Sequence, residues 1–137
     1  MTEENIARAN GKDLAISTKQ SIEICNYIRG DKLTNAKRKL LDAINEKSAI
    51  PFKIFTKDMG HKRNIAAGKY PINACTNILK IIESAEANAR NIGLDASKLV
   101  VKNIIANKAA RPHRYGRRRR IKMKRTHIEV ILSEAKK

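Results

Sequence analysis

Leu99-Val-Val-Lys-Asn-Ile-Ile-Ala106 and Thr126-His-Ile-Glu-Val-Ile-Leu-Ser133 enclose the segment Arg111-Pro-His-Arg-Tyr-Gly-Arg-Arg-Arg-Arg-Ile-Lys-Met-Lys-Arg125. Both flanks are short, apolar and rich in β-branched residues, as strands are. In the second flank Ile128, Val130 and Leu132 point one way, and His127, Glu129 and Ile131 point the other. In the first, Leu99, Val101 and Ile105 fall on one face. Pairing the two makes everything between them one long hairpin with Gly116 near its middle. Arms of ~16 residues at ~3.3 Å each span ~50 Å, more than a domain of this size measures, so the hairpin projects. A basic run at a chain end is usually a loose tail. A basic run between two strands is held out on a stalk and aimed at something.

The charge pattern says what that partner is. From Ala96 to Ile128 there is no Asp or Glu and there are twelve Lys or Arg. The 137 residues carry a formal net charge of +17. Residues 1–95 hold 16 Lys/Arg against 11 Asp/Glu, whereas residues 96–137 hold 14 against 2. Such a surplus repels itself in a compact state and is relieved by a polyanion. Apolar residues make up 42% of the chain, so it is no disordered basic peptide. Trp is absent and only five residues are aromatic, which argues against a protein that stacks many unpaired bases on its surface. Arg and Lys, acting on phosphates and on shape, must do most of the binding.

Outward from the hairpin, the chain length suits one domain, residues 1–137. Ile6 to Ile16 reads as an irregular first strand with a bulge or turn at Gly11. Ser17-Thr-Lys-Gln20 reads as a capping box that opens a helix running to Arg29 and ending at Gly30. A second helix fits Thr34 to about Lys47, with Ala36, Leu40, Ala43 and Ile44 on one face. Ala49 to Lys69 has no clean period, so it is expected to be a long basic surface loop or insertion. Pro71 to Ile92 is the clearest helix. Ala74, Ile78, Ile82, Ala85 and Ala89 step along one face, Pro71 takes the first helical position, and Gly93 ends it.

No catalytic constellation emerges. Gly60, Gly68 and Gly93 are isolated, so there is no glycine-rich phosphate loop. His61, His113 and His127 lie in different segments, and the His127/Glu129 pair is read as an ordinary polar pair on a strand face. Cys25 and Cys75 stand far apart inside helices and are expected to be buried thiols in a reducing cytosol. No Cys-x-x-Cys or other metal-ligand spacing occurs. The start, Met-Thr-Glu-Glu-Asn, lacks the pattern of a signal peptide, and no apolar run reaches the ~20 residues of a membrane span.

Several segments taken together resemble one family. Lys19 to Gly30, ending Tyr-Ile-Arg-Gly, is similar to the first helix of the large-subunit ribosomal protein numbered twenty-two in bacteria. Ile50-Pro-Phe-Lys53, Gly60-His-Lys-Arg63 and Gly68-Lys-Tyr-Pro71 resemble the insertion of its archaeal and eukaryotic branch. Ala85-Glu-Ala-Asn-Ala89 and Gly93-Leu-Asp95 follow in the same order. Arg111-Pro-His-Arg-Tyr-Gly-Arg117 and Thr126-His-Ile-Glu129 resemble the hairpin tip and its returning strand. The segment between the strands is shorter than is usual in that branch and more basic after Gly116, so the resemblance does not fix the tip residue.

The resemblance implies an α+β fold, three helices packed on a small antiparallel three-stranded sheet with a long projecting β-hairpin at about 103–128. It also implies a non-enzymatic constituent of the large ribosomal subunit, in the cytoplasm, with no cofactor and no homo-oligomer. Its partners are then large-subunit rRNA, neighbouring large-subunit ribosomal proteins and, near the tip, the nascent peptide in its exit tunnel. Arg111, His113, Arg114, Arg117, Arg118, Arg119, Arg120, Lys122, Lys124 and Arg125 are the expected rRNA contacts. Lys12, Lys19, Lys53, Lys62 and Arg63 come second. Tyr115, Gly116 and Arg117 are the expected tip in the tunnel. The alternative is a free-standing RNA- or DNA-binding regulator that uses the same finger.

Overall fold

The computed structural model describes residues 6–135. In chain order they form β1 (Ile6–Leu14), α1 (Thr18–Ile28), α2 (Leu33–Ile44), β2 (Ile50–Pro51), β3 (His61–Lys62), β4 (Ala66–Lys69), α3 (Ile72–Ile92), β5 (Leu99–Lys108) and β6 (Thr126–Glu134). Short 3-10 turns lie at Ala96–Lys98 and Gly116–Arg118. The arrangement is α+β, with three helices, an antiparallel sheet in the order β1-β6-β5, and a hairpin made by β5 and β6.

The strand with the cleanest alternation, β6, lies at the centre of that sheet. Its Thr126, Ile128, Val130 and Leu132 are all buried. Against them lies α3, whose stripe of Ala74, Cys75, Ile78, Ile82, Ala85 and Ala89 faces β1 and β6. Alanines on this stripe let the helix approach the sheet closely. At Gly11 the approach is so tight that a Cβ would collide with Ile81. At 21 residues α3 is ~32 Å long at 1.5 Å per residue, enough to cross the whole sheet. α1 packs on β5 and α2 on α3. Both thiols are buried in this core, and burial pushes each up to about 12.

Both outer strands are blocked against further pairing. On β5, Gly30 N donates to Val101 O and Val101 N donates to Asp31 O, each at 2.9 Å, and the Arg29 guanidinium donates to Ile104 O at 2.8 Å. On β1, Asn88 Nδ2 donates to Arg8 O at 2.8 Å. Such plugs protect an edge from adventitious strand addition.

Several sequence expectations need correction. Between Val101 and Asn103 the β5–β6 register shifts by one residue. This bulge flips the pleat, so Ile104 joins Leu99 and Val101 inside while Ile105 stays 36% exposed. The capping box at Ser17 does not form. The Ser17 side chain makes no cap bond, and the Ser21 hydroxyl donates to Ser17 O instead. α2 starts a residue earlier than Thr34 because Lys32, bridged to Val100, is its N-cap. It ends at Ile44, where the chain turns through Glu46 at φ +56°. Pro71 precedes the first residue of α3 as its N-cap.

The largest difference is in Ala49–Lys69, which is no plain loop. It is a second small antiparallel sheet in the order β2-β4-β3, with Ala49, Ile50 and Phe52 buried. It is pinned to α1 by Glu23, 2% exposed, whose carboxylate accepts from the backbone N–H groups of Lys53 (3.1 Å), Ile54 (2.7 Å) and Phe55 (2.7 Å). Three amides aimed at one carboxylate are strong charge-assisted bonds. They let a buried acid fasten an insertion whose strands are too short to hold themselves.

Candidate nucleic-acid interface

The hairpin changes character along its length. As far as Lys108, opposite Thr126, it is a paired ladder, bulged once at Lys102, that belongs to the sheet. Beyond that the arms stay joined by single bonds. Ala109 N donates to Arg125 O (3.2 Å), Met123 N to Pro112 O (2.8 Å) and Arg114 N to Ile121 O (2.9 Å). His113 pairs with Lys122. One extra residue on the outgoing arm, at Ala110–Arg111, shifts the register between the first and second of these bonds. Pro112 contributes a carbonyl but no N–H, which thins the ladder further.

The reversal is made by Gly116–Arg118 as a 3-10 turn, with Gly116 at φ +62°. Arg119 N donates to Gly116 O and Ile121 N to Arg118 O. His113 Nδ1 lies 2.9 Å from Arg119 O. A carbonyl can only accept, so Nδ1 carries the hydrogen and clips the turn to the outgoing arm. Arg117 to Arg120 therefore do not form an extended segment. They are the turn itself. In a 3-10 turn successive side chains lie ~120° apart, so the guanidinium groups fan out in several directions.

From Ala110 to Lys122 every residue is exposed, and Tyr115 is 90% exposed. Among the described residues, no carboxylate pairs with any cation between Lys108 and Arg125. The body behaves differently: Lys37 and Arg90 meet Glu86, Lys39 meets Asp31, and Lys98 meets Asp95. Neighbouring guanidinium groups ~4 Å apart repel by ~1 kcal/mol in water, less in salt. A polyanion turns that penalty into attraction, and each phosphate contact also releases condensed counterions.

At the root of the hairpin some of the expected cations meet. Lys19, Arg111, Lys124 and Arg125, together with Lys108, line a groove of about 630 Å³. It is walled by the start of α1 on one side and by Phe55, in the loop between β2 and β3, on another. Lys19 Nζ stands 5.7 Å from the centre of the Phe55 ring. A second hollow of about 260 Å³ shares Lys19 and Phe55 and adds Lys57. No residue lining either hollow is acidic.

The other expected cations lie elsewhere. Arg114, Arg117 to Arg120 and Lys122 are on the outer hairpin. Lys62 and Arg63 sit on the far turn of the second sheet, with Lys62 Nζ 5.3 Å from the Tyr70 ring centre. Exposed Lys53 is anchored through its backbone to Glu23. Lys12 lies at the β1 bulge, where Asp13 N donates to His127 Nδ1 at 3.1 Å. Lys108, Lys57 and Phe55 are not among the expected contacts. Lys108 is one of the twelve cations of the acid-free run, but nothing in the run singles it out. Phe55 carried no signal, because its place depends on the long-range Glu23 bonds.

The family model described as ribosomal protein L22p/L17e matches residues 9–133. The chain is 40% identical over 141 residues to the large ribosomal subunit protein uL22 of Methanosphaera stadtmanae, covering 97% of this chain and 92% of that protein. The uL22 of Methanopyrus kandleri is 39% identical over 143 residues, covering 98% and 90%. That of Archaeoglobus fulgidus is 40% identical over 116 residues, covering 82% and 75%.

Proposed function

The chain belongs to the ribosomal protein L22p/L17e family, in its archaeal branch, and we propose that it works by binding large-subunit rRNA through two basic surfaces. It is a structural, non-enzymatic constituent of the large ribosomal subunit, in the cytoplasm. The finer reading is that the body docks on rRNA at the groove beside Lys19 and Arg111. The outer hairpin, Ala110 to Lys122, then lies between rRNA segments. Arg114, Arg117 to Arg120, Lys122 and Lys124 neutralise phosphates on more than one side of it. The turn around Tyr115, Gly116 and Arg117 reaches the wall of the nascent-peptide exit tunnel, where Tyr115 meets the emerging chain. Neighbouring ribosomal proteins complete the surroundings of the body.

One observation carries this reading: the outer hairpin is wholly exposed, wholly cationic in its charge and rigidly rooted in the core. A finger of this kind binds little when laid on one flat surface and much when enclosed by anions. Crosslinking and peptide mapping of intact large subunits test it. Peptides spanning Arg111–Arg125 should carry rRNA, and a stalled nascent chain should crosslink at Tyr115. Hairpin peptides free of RNA in sedimenting subunits would overturn the rRNA reading. Nascent chains that reach every wall but this one would overturn the tunnel reading.

A further inference from the structure

We propose that the groove at the root of the hairpin is a binding site for a single extruded rRNA nucleotide. Its base lies on Phe55 and its flanking phosphates lie on Lys19, Lys108, Arg111 and Arg125. This deepens the rRNA-binding reading and rests on it.

Size is the first argument. At about 630 Å³ the groove falls within the ~300–1,000 Å³ of sites that enclose one small ligand. A duplex, with its bases stacked inside, cannot enter such a hollow. An unstacked nucleotide can, and unstacked bases are what proteins read on RNA.

Charge is the second. Five cations converge on the groove with no acid among the residues that line it. The first turn of α1 adds to this potential: it holds no acidic residue, and its N-cap Ser17 makes no side-chain cap bond. The occupant is therefore anionic. Ile22, Ala106 and Phe55 on the same walls require that it also present an apolar face. A nucleotide has both properties.

The third argument is the way Phe55 is held. It is only partly buried and borders both hollows, so its ring is a ridge that a strand can cross. Its backbone is fixed by the buried Glu23 carboxylate at 2.7 Å, and the Lys19 ammonium stands near its ring. An aromatic residue fixed by a buried carboxylate, with one lysine over its ring and the rest left half open, is a platform for one base. The shortage of aromatics in the chain excludes a run of stacked bases but leaves room for one.

The test compares Phe55→Tyr and Phe55→Leu with the parent full chain, using filter binding to transcribed large-subunit rRNA over a salt series. Tyrosine keeps a π-face; leucine fills the space without one. The expected result is affinity within twofold for the tyrosine variant and a fall of about ten-fold for the leucine variant. The slope of log affinity against log salt should be the same for all three, because no phosphate contact is lost. Leucine binding as well as phenylalanine, or tyrosine failing with it, overturns the proposal and leaves rRNA binding intact. Failure of the parent chain to bind overturns the rRNA reading as well. Ultraviolet crosslinking of the parent chain to the same transcript gives a readout free of mutation. RNA joined to the peptide holding Phe55 supports the site, and RNA joined to hairpin peptides alone overturns it.

Discussion

The root and the tip of the hairpin are made by the same two strands and obey different rules. The root buries Leu99, Val101, Ile104, Ile128, Val130 and Leu132 under three helices, and its outer edge is plugged by the turn between α1 and α2. The tip, Ala110 to Lys122, buries nothing, and no acid pairs with its cations among the described residues. A two-stranded hairpin is marginal alone in water. The outer part is thus kept in register by its rooted end, its clip at His113 and the turn at Gly116. The lesson is a division of labour. The root specifies where the finger starts and points. The tip carries charge whose counterpart lies outside the chain.

The sharpest way to break this comparison is to damage the root. Leu132→Ala removes a fully buried side chain at the centre of the sheet and should cost ~2–5 kcal/mol in denaturant unfolding. An effect below ~1 kcal/mol would mean that the root does not carry the fold. Next comes the pin between α1 and the second sheet. Glu23→Ala leaves the amides of Lys53, Ile54 and Phe55 without their acceptor and should cost about 3 kcal/mol. Hydrogen exchange at those three amides should quicken more than at Val130, and uniform quickening would contradict a local pin.

A smaller effect tests the paired charges of the body. The hydrogen bond from Lys37, with the charges of Lys37 and Arg90, holds the Glu86 carboxyl below its ordinary value of 4.5. A depressed carboxyl contributes its stability above the ordinary value and loses it as pH falls through the folded one. Glu86→Gln should therefore cost up to ~1 kcal/mol at pH 7, with the difference from the parent shrinking as pH falls below 4.5. A gap that is constant with pH would show that packing, and not charge, holds α2 to α3 there.

The hairpin, its two strands and the three helices were legible because each has a strong local signal. Ile128-x-Val130-x-Leu132 fixes a face, Ala74 to Ala89 fixes a stripe, and the acid-free run fixes the sign of the partner. What escaped depends on distant residues. The bulge at Lys102 moved Ile104 inward, and nothing local marks it. The second sheet hangs on Glu23, 30 to 32 residues from the amides it binds. At the candidate site, the basic outer hairpin was readable, but the groove that joins Lys19 to Arg111 and Phe55 exists only once α1, the second sheet and β5 are folded together. Gly116 marks the middle of the hairpin in the sequence, but that the turn runs on through the four arginines shows only in the backbone, with Gly116 at φ +62°.

The central claim is that the tip is built for a polyanion and adds nothing to the fold. The double variant Arg118→Glu/Arg119→Glu tests both halves at once. Its unfolding free energy should stay within ~0.5 kcal/mol of the parent, as at exposed sites, while its incorporation into sedimenting large subunits falls sharply. Full incorporation of that variant, or a loss of stability comparable to a core substitution, would contradict the account.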